Sequence, residues 1–78
     1  MFEVRTKSPF DDDWEERDEQ IYIAAAVDGK FTSHYSGAGF GGRDHGWYVS
    51  TFEEAMDMKK RLNAVQGVVA TVREAITP

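Results

Sequence analysis

Seven carboxylates crowd into nine positions of this chain. Asp11, Asp12, Asp13, Glu15, Glu16, Asp18 and Glu19 share the stretch with one base, Arg17, and with two large rings, Phe10 and Trp14, set four residues apart. A segment so dense in negative charge and punctuated by aromatics has two readings. It is a solvated stretch whose rings pin it to the rest of the protein, or it presents carboxylates in place of nucleic-acid phosphates, with the rings as anchors on a basic partner. Aromatic residues are favoured interface anchors, and a negative patch speeds encounter with a positive one. The segment carries a local charge of −6 and the other 69 residues together carry +1, so the net −5 belongs to one patch. Such a patch repels nucleic acid and attracts cationic protein surfaces.

Other groups offer less chemistry. His34, Asp44 and His45 are two imidazoles and a carboxylate, but their spacing matches no compact metal-ligand motif, and adjacent Asp44 and His45 point in different directions too readily to act as base and orienter. There is no cysteine, which excludes thiol catalysis and thiolate metal sites, and no serine stands in a nucleophile turn. No catalytic residue, cofactor or metal is therefore expected. The five glycines of residues 37–46 invite a phosphate-cradle reading, yet such loops open directly into a helix, whereas Gly46 leads into strand-like Trp47-Tyr48-Val49. That stretch is expected to be a mobile connector, or else to offer Phe40 as a contact residue that orders on binding, with Arg43 as a further partner contact. Lys59, Lys60 and Arg61, with Lys30, Arg43 and Arg73, form the alternative site, a basic face for nucleic acid.

These residues need elements to position them. Phe2, Val4 and Thr6 alternate with Glu3, Arg5 and Lys7, the period of a half-buried strand, which Ser8-Pro9 is expected to stop at residue 7. Phe10, Trp14 and the aspartates suit one or two helical turns within 11–18. Asp28-Gly29 between two apolar runs signals a hairpin of 20–27 with 30–36. A bulged loop Val27-Asp28-Gly29 is the register that aligns Ile21, Ile23, Ala25, Phe31 and Tyr35 on one face, with Tyr22, Ala24, Ala26, Thr32 and His34 on the other. Ser50-Thr51-Phe52-Glu53-Glu54 holds two overlapping capping boxes that open a helix; Phe52, Ala55, Met56, Met58, Leu62 and Val65 give its apolar stripe, and Gln66-Gly67 its stop. Val68 to Ile76 reads as a covered strand.

The expected fold is α+β: one domain over residues 1–78, with a mainly antiparallel sheet of three to five strands and one long helix on one face, in the order β-loop-β-β-(β)-α-β. A domain of 78 residues buries a modest core, so self-association into a homodimer is one route to further burial. No run reaches the length of a membrane span, and Met1-Phe2-Glu3-Val4-Arg5 lacks the basic-then-apolar order of a signal peptide, so a cytoplasmic protein is expected.

Ser50-Thr51-Phe52-Glu53-Glu54-Ala55 opening a helix after a sheet resembles, over residues 20–64, the three-stranded DNA-binding arm domains of phage integrases. As a whole, a short, cysteine-free, acidic α+β chain without catalytic motifs is similar to the small phage-encoded anti-defence proteins of the anti-CRISPR type. That resemblance implies an inhibitor whose partner is a nucleic-acid-handling complex with a basic surface to occlude. The expected contact residues are Phe10, Asp11, Asp12, Asp13, Trp14, Glu15, Glu16, Asp18, Glu19, Phe40 and Arg43, with no direct nucleic-acid binding favoured.

Overall fold

A computed structural model of the chain describes residues 1–26, 35–39 and 42–75. The alternation at the N-terminus becomes β1 (Phe2–Pro9), two residues longer than expected, ending with Pro9 opposite Gly42. Val4, Thr6 and Ser8 bury one face of the strand, while Lys7 on the other face is exposed. The chain continues through α1 (Trp14–Ala25), β2 (Tyr35–Gly39), β3 (Gly42–Val49), α2 (Phe52–Asn63) and β4 (Val69–Glu74). The strands lie in the order β2-β3-β1-β4, and every neighbouring pair is antiparallel. Each helix thus links two strands separated by a third, the split β-α-β arrangement of ferredoxin-like folds.

The α+β class and the antiparallel sheet match the expectation, but among the described residues two helices accompany the sheet rather than one. Residues 20–25, expected as a strand, are the second half of α1. The alternation of Ile21, Ile23 and Ala25 coexists with a helical spacing, Asp18, Ile21, Tyr22 and Ala25, and the helix wins. It buries Asp18, Ile21 and Ala25 together and leaves Ile23 exposed. Ala24 and Ala25 have the highest helix propensity and little strand preference. Val27 to His34 lie outside the described residues, and Tyr35 and Ser36, expected to belong to a hairpin with 20–27, pair instead with Gly46 and His45 of β3.

The glycine-rich stretch is the second correction, because residues 35–39 and 42–49 are paired strands. Glycine weakens a strand by roughly 0.5–1 kcal/mol per residue. β3 overcomes that because it is central, held by β1 along its whole length and by β2 over Gly42–Gly46. Gly46 lies opposite Arg5 on one side and Tyr35 on the other.

α2 forms as its capping signal indicates. The Thr51 side chain accepts from the Glu54 amide at 3.1 Å, Glu53 and Glu54 occupy the first turn, and Lys60 and Arg61 the last, each sign complementing the helix dipole. Ala55, Met58 and Leu62 are buried, whereas Phe52 and Met56 are exposed and Phe52 packs edge-on against Phe2. Past the helix, Gly67 takes φ 83°, and the Asn63 side chain accepts from the Ala70 amide at 2.8 Å, tying α2 to β4. The core, Val4, Ile21, Ala25, Trp47, Val49, Ala55, Met58, Leu62, Val68 and Ala70, draws on both helices and on β1, β3 and β4. No helix among the described residues is long and apolar enough to cross a membrane.

Candidate functional site: the acidic helix and its buried clamp

The acidic segment is built in two layers, one that fixes it and one that it shows to solvent. At its start Asp11 accepts both terminal nitrogens of Arg17, at 2.9 and 3.1 Å, and the amide of Asp13 at 3.1 Å. Arg17 also donates to the Pro9 carbonyl at 2.9 Å, so one bidentate pair joins the exit of β1 to the first turns of α1. The Arg17 hydrogen bonds hold the Asp11 carboxyl below the usual carboxylate range, and Asp11 raises Arg17 in return. Asp11 therefore organises the turn.

Beneath the helix lies a second anchor. Asp18 is buried and accepts from Arg43 and from Nε2 of His45, the latter at 3.1 Å. A carboxylate only accepts, so in the neutral ring Nε2 carries the hydrogen and Nδ1 is left to accept from the Tyr22 hydroxyl, 3.3 Å away. His45 is 0% exposed, packed edge-on against Tyr22 and stacked against Trp47. The Arg43 guanidinium sits 4.8 Å from the centre of the Trp14 ring, and Trp14 stacks on Phe10 at 5.3 Å. Register places Thr6 beside His45 and Ser8 beside Arg43 on the same buried face. Thr6 Oγ1, Ser8 Oγ, Arg43 Nε and Trp47 Nε1 are also buried, without a hydrogen-bond partner among the described residues. A Tyr–His–Asp series resembles a proton relay, but its imidazole has no exposed surface here. Its evident action is to clamp α1 to β3.

The outer layer is negative. Asp12, Asp13, Glu15, Glu16 and Glu19 are exposed and hold no ion pair among the described residues, while Phe10 is 47% and Ile23 54% exposed beside them. Of the residues expected from sequence to meet a partner, Asp12, Asp13, Glu15, Glu16, Glu19, Phe10 and half-buried Trp14 come together on this surface. Asp11 and Asp18 are engaged within the fold, as is Arg43, and Phe40 lies outside the described residues. Tyr22, Ile23 and His45 were missed as parts of the site. For Tyr22 and Ile23 the signal was the four-residue spacing Trp14, Asp18, Tyr22, which continues a helix through the expected strand.

Of the alternative basic site, the three arginines are engaged internally, whereas Lys59 and Lys60 hold no ion pair among the described residues. Arg61 pairs with Asp57 and donates to the Ala24 carbonyl at 2.8 Å, Arg73 bonds Glu3 at 2.6 Å, and Arg43 is held by Asp18; Lys30 lies outside the described residues. Asp44 and His45 point to opposite faces of β3, His34 lies outside the described residues, and no group of three or more potential ligands is placed to hold a metal among those described. Comparison with known protein families, curated proteins and solved structures returns no match.

Proposed function

We propose that this is a non-enzymatic binding protein that presents the outer face of α1 to a cationic protein surface and inhibits by covering a surface that would otherwise engage nucleic acid. The observation that carries the reading is five exposed carboxylates that hold no ion pair among the described residues, Asp12 and Asp13 in the turn before α1 and Glu15, Glu16 and Glu19 on it, with Phe10 and Ile23 exposed beside them and the helix anchored from beneath. Glu15, Glu16 and Glu19 set three charges within about 6 Å of helix axis. That is the order of charge density of duplex DNA, one charge per ~1.7 Å. The clamp adds preorganisation, since a helix already fixed loses less freedom on binding than a disordered acidic tail. Anti-defence inhibition of a nucleic-acid-handling complex is the setting this chemistry suits.

Capture experiments test the reading. Immobilised protein is expected to retain basic, nucleic-acid-binding proteins that elute with salt and are displaced by DNA, and Asp12→Lys/Asp13→Lys/Glu16→Lys is expected to retain none of them. Equal capture by the reversed variant contradicts the proposal. A mobility shift of DNA or RNA by the protein alone at low salt would instead favour direct nucleic-acid binding.

A further inference from the structure

The inner flank of the same helix is not simply acidic. Trp14, Asp18 and Tyr22, four residues apart, line a shallow groove along α1, and Glu15, Glu19 and Ile23 form its outer rim. We propose that this groove receives an arginine side chain projecting from the cationic partner. The proposal rests on the function given above and states where on α1 the partner is held.

Three observations select the occupant. First, the lining joins two aromatic rings and an aliphatic side chain to carboxylates, which suits a side chain with an apolar stem and a planar cationic head. Second, the protein already seats one guanidinium at this wall: Arg43 lies over the Trp14 ring and pairs with Asp18. That pair leaves the floor near neutral. Third, Glu15 and Glu19, four apart on one helix face, hold no ion pair among the described residues and supply the charge at the rim. Arriving guanidinium nitrogens would donate to those carboxylates while the stem packs on Ile23 and Tyr22. An ammonium gains the charge but not the forked donation that a planar guanidinium makes to carboxylates, and an anion meets like charge.

Binding of an oligoarginine peptide to two charge-matched variants tests the groove. Glu15→Gln/Glu19→Gln and Asp12→Asn/Asp13→Asn each remove two negative charges, so general attraction falls alike in both. The Glu15/Glu19 variant is expected to lose at least about fivefold more affinity, the scale of one partly desolvated cation contact. Wild-type protein is expected to prefer oligoarginine to oligolysine, with amide shifts concentrated between Trp14 and Ile23. Equal losses in the two variants would overturn the groove while leaving the acidic face as the binding surface. No loss in either would overturn both. Unchanged amide spectra outside α1 establish that each variant is folded.

Discussion

The seven acids of the segment divide by what lies against them. Asp18 neutralises Arg43 and hydrogen-bonds His45 in a buried setting, and removing one partner from such a group leaves the others charged or unpaired away from water. Asp18→Ala is therefore expected to cost about 3 kcal/mol in denaturant unfolding. Asp12→Ala, at an exposed position, is expected to change stability by less than about 0.5 kcal/mol. Similar small values for both would contradict the clamp. Asp11 offers a test by pH. Its folded carboxyl is lowered by Arg17, so the stability from that pair is present above the unfolded carboxyl's titration and is lost as pH falls through the folded value. Arg17→Gln is expected to move the Asp11 midpoint upward in an NMR titration, and an unmoved midpoint would show that the fork does not persist in solution.

At the scale of elements, local signals decide more than patterns shared between helix and strand. The Thr51 cap is one such signal, and Thr51→Ala is expected to cost about 1 kcal/mol in thermal or denaturant unfolding. Gly67 is another: at φ 83° an alanine is strained, and its Cβ would lie 3.3 Å from Arg17 Nε, so Gly67→Ala is expected to destabilise by about 1 kcal/mol or more. β1, the end of β3 and α2 were legible because alternation and capping residues each point one way; β4 was legible as a strand from its β-branched run, but it lies at the sheet edge with Val69 exposed instead of being covered as expected. α1 was only half legible. Ile21, Ile23 and Ala25 satisfy a strand's period, and it takes buried Asp18 and half-buried Tyr22, polar residues on an inward flank, to complete the helical one. The strands of the glycine-rich stretch were not legible, since what stabilises Gly42 to Gly46 is pairing with β1, more than thirty residues earlier in the chain. For the site, the acidic face could be read from charge alone. The division into anchoring and presented carboxylates could not, because it depends on Arg43 and His45 reaching α1 across the sheet.

Over the whole molecule the charge is segregated by the fold. The outer side of α1 carries carboxylates that hold no ion pair among the described residues, whereas the face of the sheet turned away from the helices mixes signs: Arg5, Lys7 and Arg73 lie among Glu3 and Asp44 in neighbouring strands. Such asymmetry orients an approaching cationic surface toward α1 and away from the sheet, an effect that added salt screens within about 10 Å at 0.1 M. The most direct measurement is the affinity of an oligoarginine peptide for wild-type protein and for Asp12→Lys/Asp13→Lys/Glu16→Lys as ionic strength rises. Wild-type affinity is expected to weaken steadily with salt, and the reversed protein, folded by its amide spectrum, is expected not to bind. Affinity that is flat with salt, or equal in the two proteins, would contradict the role assigned to the acidic helix.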